Sequence, residues 1–345
     1  MIGEDGRLPL PWLSSCLQAG RAMGHAHALL LHGAAGAGSF EAACCLAQSA
    51  LCESPSADGW ACGHCAACHQ LRAGLHPDLM MLVPEASRQR LGLPGGEGEA
   101  ETGEGKARRR PSRQIRIDEV RAALDWTATS SSRGRGKWLV VHPAEALNVQ
   151  SANALLKSLE EPPAGVHWVL TAAEPQALLP TVRSRCQRLR LATPPAADAG
   201  AWLASQGVAD PEILLAACDG RPLDARDLNA EGVDARRWLA VPAAVLSGQA
   251  SAFTGWSLAR VIDALQKLCH DGLVLSVGGP ARYFPGSALR PPRRFDQLSG
   301  WHRELGRIAA RADHPWQEAL LVESLVTQAR QTWQGERQAL DTLPS

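Results

Sequence analysis

The first half of the chain alternates short apolar runs with amphipathic stretches. Residues 29–31, 137–141 and 167–171 are apolar runs of strand length, and residues 146–161 form a helical pattern that two prolines terminate. Strands that alternate with helices are typical of a parallel sheet covered by helices. We therefore predict a parallel α/β domain over residues 1–191.

The pattern changes after residue 191, where no convincing strand follows. Residues 192–195 have the composition of a linker. Short helical patterns over residues 192–233 predict a small helical lid domain, and longer ones over residues 234–345 predict an all-α domain. The longer helical patterns include residues 257–270, 300–312 and 314–333. We expect the tryptophans of this region to lie in the core or between helices, namely Trp238, Trp256, Trp301, Trp316 and Trp333.

The loop after the first apolar run has the spacing of the phosphate-binding pattern G-x-x-x-x-G-K-[ST]. Gly33 and Gly38 occupy the two glycine positions, with Gly36 between them. Ser39 stands at the lysine position and Phe40 at the position of the hydroxyl that holds Mg²⁺. Without that lysine and hydroxyl we expect no ATP to be bound or hydrolysed by this chain. An ordinary flexible turn of small residues is the alternative interpretation of this segment.

The second apolar run leads into a further altered motif. An ATPase of this type carries an acidic pair there, which orders Mg²⁺ and the attacking water. This chain has His142 and Pro143 at those positions. Since neither is a carboxylate, the expectation of no hydrolysis is strengthened.

Four cysteines are spaced C-x9-C-x2-C-x2-C, namely Cys52, Cys62, Cys65 and Cys68. Tetrahedral Zn²⁺ favours four thiolates presented by tight turns, so we predict a structural zinc module over residues 52–68. His64 and His69 are rival ligands nearby, and we expect both outside the ligand set. Other cysteines in apolar surroundings are expected to pack in the core: Cys16, Cys44, Cys45, Cys218 and Cys269.

Charge argues against non-specific DNA binding as the main function. The 35 lysines and arginines equal the 35 aspartates and glutamates, so the chain lacks a basic excess. Residues 87–113, which include a Gly/Glu-rich tract and an arginine run, are predicted to be a disordered insertion. We find no secretion signal and no apolar run of membrane length, and therefore expect a cytoplasmic protein whose cysteines bind metal rather than form disulfides.

Three motifs together resemble the clamp-loader branch of the AAA+ ATPases. They are N-A-L-L-K-S-L-E-E-P-P at residues 153–163, T-A-A-E-P-Q at 171–176 and S-R-C at 184–186. The resemblance is dense over residues 9–190 and thin afterwards. It implies an α/β P-loop fold of the AAA+/RecA-like type for residues 1–191. It implies that Arg185 of the S-R-C motif is an arginine finger, which acts in trans on ATP held by the neighbouring subunit. A weaker alignment of residues 220–225 places Leu223 where the family has its lid arginine.

The resemblance also implies a function and a set of partners. It predicts a stator subunit in a five-subunit ring, beside motor ATPase subunits and a clamp-opening subunit, with the C-terminal helices as the collar of the ring. The assembly would load a sliding clamp onto primed DNA during replication. Two alternatives stay open: an active or nucleotide-sensing motor subunit, which tight Mg-ATP binding would favour, and a zinc-dependent nucleic-acid-binding module. Salt-sensitive DNA binding that is lost in Cys65→Ser would favour the module.

Overall fold

The computed structural model describes residues 1–24, 26–94, 111–292, 294–310 and 317–334 of the 345-residue chain. The chain divides into two compact units, Met1–Pro194 and Pro195–Ser345. The finer division at residues 191 and 233 stays a prediction. Of the insertion predicted at residues 87–113, residues 95–110 lie outside the described part of the chain.

The first unit is built on a five-stranded sheet with the order β2-β3-β4-β1-β5, in which every pairing is parallel. Strands β1, β3 and β4 are almost wholly buried, and this explains why their sequences are nearly continuous apolar runs. The expected parallel α/β fold is thus confirmed. The strands are β1 (Ala28–His32), β2 (Leu79–Leu82), β3 (Lys137–Val141), β4 (Val166–Ala172) and β5 (Gln187–Arg190).

Helices cover both faces of the sheet, and each face has its own buried cluster. The helices are α1 (Ser14–Ala22), α2 (Ser39–Leu51), α3 (Ala66–Arg72), α4 (Glu85–Arg88), α5 (Ile117–Thr127), α6 (Val149–Glu160) and α7 (Pro180–Arg183). Helices α5, α6 and α7 contribute to one cluster and α2 to the other. The side chain of Asn148 caps α6 by accepting the N–H of Ser151 at 2.8 Å, as expected for an N-cap residue.

The register of the sheet fixes which motifs share an end of it. Strand β5 lies beside β1, with Gln187 opposite Leu29 and Arg190 opposite His32. Residues that follow β1 or β3 therefore lie at the carboxyl end of the sheet, where ligands bind in parallel α/β folds. Residues that precede β5 lie at the opposite, amino end.

All regular elements described in the second unit are helical. They are α8 (Ala196–Ser205), α9 (Pro211–Ala217), α10 (Pro222–Ala230), α11 (Ala235–Ser247), α12 (Leu258–Ser276), α13 (Phe295–Ala309) and α14 (Glu318–Gln334), besides short 3₁₀ turns. Trp238, Trp301 and Trp333 are buried as predicted, Trp256 is half-buried, and Trp316 lies outside the described residues. Among the described helices, none combines the length and the apolar character needed to cross a membrane.

The long connection between α12 and α13 is tied to the helices by a buried carboxylate. Asp271 is fully buried and accepts the backbone N–H groups of Arg282, Tyr283 and Phe284 at 2.8–2.9 Å. A buried carboxylate needs such donors to offset its lost hydration. This network fastens residues 282–284 of the connection to α12.

Candidate functional site

The glycine loop, residues 33–38, leaves the carboxyl end of β1 and leads directly into α2. This is the strand, loop and helix arrangement of a phosphate-binding loop. Gly33 passes so close to the chain after β5 that an added Cβ would overlap the carbonyl oxygen of Leu191. Gly38 has a φ of +102°, and a Cβ there would collide with Leu10. Local packing therefore requires these two glycines.

An aromatic side chain holds the same loop from the side. The indole Nε1–H of Trp12 donates to the carbonyl oxygen of Ala37 at 2.8 Å. Helix α2 then begins at Ser39, so the position of the missing lysine is half-buried at the first turn of the helix. The loop thus keeps the strand, loop and helix arrangement of a phosphate-binding loop but lacks the positive charge of the motif's lysine.

Phe40 and His142 lie together where the motifs would otherwise bring Mg²⁺ and water. Phe40 is only 9% exposed and belongs to the cluster of α2 against β3 and β4. Its ring centroid is 4.9 Å from that of His142. Pro143 follows and precedes a short 3₁₀ turn. The two altered motif positions thus form one ring–ring contact.

His142 is held neutral by its surroundings. Burial, helped by the positive charge of Arg90, lowers the pKa of His142 to about 4. Thr171 Oγ1 lies 3.3 Å from the carbonyl oxygen of Val141, to which it donates, and 2.7 Å from His142 Nδ1. Nδ1 of the imidazole is therefore hydrogen-bonded to the hydroxyl inside the site. A phenyl ring and a neutral imidazole supply none of the oxygen ligands that Mg²⁺ prefers.

The four predicted metal ligands are brought together. The sulfur atoms of Cys52, Cys62, Cys65 and Cys68 all lie within 4.8 Å of one another, and this cluster could hold a metal ion. Cys52 Sγ is 3.6 Å from Cys62 Sγ and 3.8 Å from Cys65 Sγ. These distances are far longer than the roughly 2.05 Å of a disulfide bond. The cluster follows α2 directly and ends inside α3.

Backbone N–H groups point at these sulfur atoms, as expected around thiolates. Cys62 N–H donates to Cys52 Sγ, Cys65 N–H to Cys62 Sγ and Cys68 N–H to Cys65 Sγ, at 3.3–3.4 Å. Burial would raise the pKa of Cys65, but hydrogen bonds from the backbone of Cys68 and Glu53 outweigh it and lower that pKa to about 6. Burial raises the pKa of Cys52 and Cys68, so a cation is needed to keep all four thiols ionised.

The cysteine module is fastened to the rest of the unit by arginines. Arg21 donates to the carbonyl oxygen of Asp58 and lies over the ring of Trp60. Arg72 donates to the carbonyl oxygen of Gly63 at 2.7 Å and pairs with Glu4. The described cluster of four sulfur atoms includes neither His64 nor His69, and the exclusion of both from the ligand set stays a prediction. The remaining cysteines named above are buried.

Arg185 lies between the end of α7 and the start of β5. Its Nε and Nη2 atoms are 3.2 and 3.0 Å from Glu160 Oε2, and its Nη1 atom is 3.0 Å from the carbonyl oxygen of Thr181. The side chain of Arg185 is 29% exposed and that of Glu160 59% exposed. Cys186, the next residue, is 8% exposed in the core and anchors the loop.

Arg185 and the glycine loop lie at opposite ends of the sheet. The segment from Gln187 to Arg190 runs parallel to β1 and spans roughly 10 Å, at about 3.3 Å per residue. Arg185 precedes that segment, whereas Gly33 follows the paired strand β1. An arginine in this place serves no nucleotide on its own chain's loop. Leu223 lies in α10 of the second unit. Because leucine is apolar, it supplies no positive charge at the position that the weaker alignment gives to the lid arginine.

Sequence reasoning missed Glu160 as part of this site. Glu160 is the last residue of α6 and sits in the E-E-P-P segment that was used only to recognise the motif. The signal that could have pointed to it is the pair of adjacent acids, Glu160 and Glu161, at the end of the helix preceding the S-R-C loop. The sequence alone does not tell which acid faces the arginine.

Comparisons with known proteins identify the family of the chain. The family model described as DNA polymerase III, delta subunit matches residues 12–195, more than half of the chain. DNA polymerase III subunit delta' of Escherichia coli is 32% identical over 84% of this chain and 86% of its own length. The delta' subunit of Pseudomonas aeruginosa is 39% identical over 66% of this chain, and the match spans 63% of that relative.

A relative with a different name matches about half of the chain. DNA polymerase III subunit tau of Escherichia coli is 30% identical over 48% of this chain and 21% of its own length. The two delta' relatives named above match longer stretches of the chain and at higher identity. On its fold, its motif geometry and these matches, the chain belongs to the DNA polymerase III delta-subunit family, with delta' proteins among its relatives.

Proposed function

We propose that this chain is a clamp-loader stator of the delta-prime type, which hydrolyses no ATP itself and completes the ATPase site of a neighbouring subunit with Arg185. The observation that carries the proposal is the placement of Arg185. It lies at the amino end of the sheet, away from the glycine loop, in a half-exposed position. An arginine finger must reach outward from its own chain in this way.

The reaction that Arg185 would assist is ATP hydrolysis on the neighbour. Water bonds to the γ-phosphorus, the bond from that phosphorus to the oxygen of ADP breaks, and ADP and phosphate are released. Negative charge develops on the phosphate oxygens, and a guanidinium placed against them stabilises it. Such fingers contribute roughly 10³ to 10⁵ in rate.

The chain's own loop supports the other half of the proposal. The lysine and hydroxyl positions are Ser39 and Phe40, and Phe40 packs against a neutral His142. A subunit that does not turn over nucleotide undergoes no nucleotide-driven conformational change and can serve as a rigid subunit of the ring. We propose motor subunits of the tau type and a clamp-opening subunit as its partners, with the second unit in the collar.

In the assembled loader the chain would help place a sliding clamp on primed DNA in the cytoplasm. Its zero net charge fits contact with protein partners better than a dominant role in DNA binding. It would therefore reach the clamp and the DNA mainly through the complex.

For the metal we propose Zn²⁺ in a structural role. Four sulfur ligands at about 2.3 Å from a tetrahedral ion lie about 3.8 Å from one another, by simple geometry. Cys52 Sγ lies 3.6 and 3.8 Å from two of its partners, close to that value. Four cysteine ligands also leave no open position for catalysis, so the ion would stiffen the module between α2 and α3.

The test is ATP hydrolysis by a loader reconstituted from this chain with tau-type motor subunits and a clamp-opening subunit. The motor subunits that do not face Arg185 carry a disabled P-loop lysine, so that turnover reports one site. We expect Arg185→Ala to lower the clamp- and DNA-stimulated rate at that site by at least about 100-fold. Arg183→Ala, two residues away on α7, is the matched control and should keep the rate.

Size-exclusion chromatography must show that each variant still assembles. An unchanged rate for Arg185→Ala in an intact complex would reduce the chain to a scaffold and refute the finger. Tight Mg-ATP binding by the isolated chain would instead favour the motor-subunit alternative.

A further inference from the structure

The donors of Arg185 are only partly used inside its own chain. A guanidinium has five N–H donors. One on Nε and one on Nη2 go to Glu160 Oε2, and one on Nη1 goes to the carbonyl oxygen of Thr181. Within the described residues no other hydrogen bond to Arg185 is present, so one N–H remains on each terminal nitrogen.

The three contacts restrain the guanidinium from two directions. Glu160 belongs to the end of α6, and Thr181 belongs to α7, which packs against α6 in the same buried cluster. Rigid elements therefore carry both acceptors. A flexible side chain that is held in this way loses less rotational freedom when it binds a further oxygen.

We propose that Glu160 is a positioning residue for Arg185. The carboxylate accepts hydrogen bonds from Nε and Nη2, and the carbonyl of Thr181 accepts one from Nη1. Together they orient the two remaining N–H donors towards the γ-phosphate of a nucleotide on the neighbouring subunit. This inference rests on the proposed function of Arg185 as a finger. Glu160 acts through Arg185 and touches no reacting atom.

The charge on Glu160 makes the opposite role conceivable and therefore testable. A carboxylate beside the guanidinium competes with phosphate for the same cation. However, Glu160 contacts only Nε and Nη2 of Arg185, and one N–H on each terminal nitrogen stays available to phosphate. The carboxylate therefore orients the guanidinium more than it competes with phosphate for it.

The chain offers a matched control next to the proposed residue. Glu161 is also exposed and acidic, but it follows the end of α6, and among the described contacts Arg185 bonds to Glu160 and Thr181 only. Removing either carboxylate changes the net charge equally. Only the removal of Glu160 also removes the hold on the guanidinium.

The experiment measures kcat and KM for ATP in the single-site loader described above. We expect Glu160→Ala to lower kcat about 10-fold with KM changed less than about twofold, because misorientation of a transition-state group acts on kcat. Glu160→Gln keeps one oxygen acceptor and should lose only about threefold. Glu161→Ala should match the native chain.

A double variant separates positioning from a general structural effect. In an Arg185→Ala background, Glu160→Ala should cause no further loss, because the group it positions is gone. A loss of the same size in both backgrounds, or thermal melting that falls with kcat, would overturn the inference. A higher kcat in Glu160→Ala would show that the carboxylate restrains the finger, and would also overturn it.

Failure of this inference is distinct from failure of the proposed function. If Arg185→Ala leaves the rate unchanged, the finger itself is refuted. If Arg185→Ala lowers the rate but Glu160→Ala does not, the finger stands and Glu160 has no positioning role.

Discussion

The glycine loop and the S-R-C loop belong to the same unit, yet the motif residues beside them lie in opposite environments. At the carboxyl end of the sheet the chemistry has been replaced by packing, since Phe40 is buried and touches a neutral His142. At the amino end, Arg185 stays half-exposed and hydrogen-bonded. The lysine, the hydroxyl and the acidic pair of the motifs are replaced, whereas Arg185, which we propose acts on a partner's nucleotide, is present.

The difference teaches which interactions each loop depends on. A buried phenyl ring contributes through apolar contact and close packing, so its removal is felt as stability. An exposed pair such as Arg185 and Glu160 contributes little to stability, because water screens it. Mutation of Phe40, at the start of α2 after the glycine loop, should therefore affect folding, whereas mutation of Arg185 in the S-R-C loop should affect activity.

The largest expected effect on folding comes from Phe40→Ala. Deleting a buried phenyl ring leaves a cavity between α2, β3 and β4, and costs about 3–4 kcal/mol in the free energy of unfolding. Urea unfolding followed by circular dichroism measures this change. Ser39→Ala, at the neighbouring half-buried position, is the control and should shift it by less than about 1 kcal/mol.

A loss below about 1 kcal/mol for Phe40→Ala would break the comparison. The site around α2 would then be loosely packed, and the loss of the Mg²⁺ ligands could not be explained as conversion of the site into core.

A smaller effect is expected from the titration of His142. Its pKa is about 4 in the folded chain because of burial, against an ordinary value of 6.5, so the unfolded chain binds a proton first as pH falls. The stability contributed by the neutral imidazole is full above pH 6.5 and is lost as pH falls towards 4. Between pH 7 and pH 5 this loss amounts to about 2 kcal/mol.

The measurement is the free energy of unfolding at pH 7 and pH 5 for the native chain and for His142→Asn. Other histidines also titrate, and burial also lowers the pKa of His32, His76 and His167. Only the difference between the two chains is therefore assigned to His142. Equal pH slopes in both would mean that the imidazole is solvated and that the packed site is open to water.

The cysteine module over residues 52–68, where we propose Zn²⁺, lies outside both loops, and loss of the proposed ion should have a more local effect. Chelation or Cys62→Ser should speed hydrogen exchange in residues 53–72 by about 10-fold or more, because the turns lose their common ion. We expect strands β1, β3 and β4 to keep their protection, and melting to fall by about 2–4 °C, which corresponds to roughly 1 kcal/mol.

Arg21 and Arg72 donate hydrogen bonds to carbonyl groups of the cysteine module. Through these contacts, removal of the ion can destabilise residues outside the module. Cooperative unfolding of the whole first unit on chelation would show that the ion stabilises more than its module. Cys16→Ser, at a buried cysteine outside the cluster, shows what loss of a core thiol alone does.

Much of the fold follows from sequence because its signals are local. Continuous apolar runs predict buried parallel strands, and the C-x2-C spacing presents sulfurs on tight turns. The pairing of Arg185 with Glu160 rather than Glu161 depends on how α6 meets α7, which is a tertiary contact. The ring contact of Phe40 with His142 joins a residue of α2 to the residue that follows β3, 102 positions apart by number, and no local pattern encodes it.

The smallest effect on folding is expected for Arg185→Ala. Its ion pair has a partner that is 59% exposed, and exposed pairs contribute about 0–1 kcal/mol. We therefore expect the free energy of unfolding to change by less than about 1 kcal/mol, measured by urea unfolding beside Phe40→Ala. A loss as large as that of Phe40→Ala would make Arg185 a structural residue and would leave any fall in ATPase rate without a catalytic meaning. Set against a large fall in rate, near-native stability would instead confine the role of Arg185 to the surface that it offers a partner.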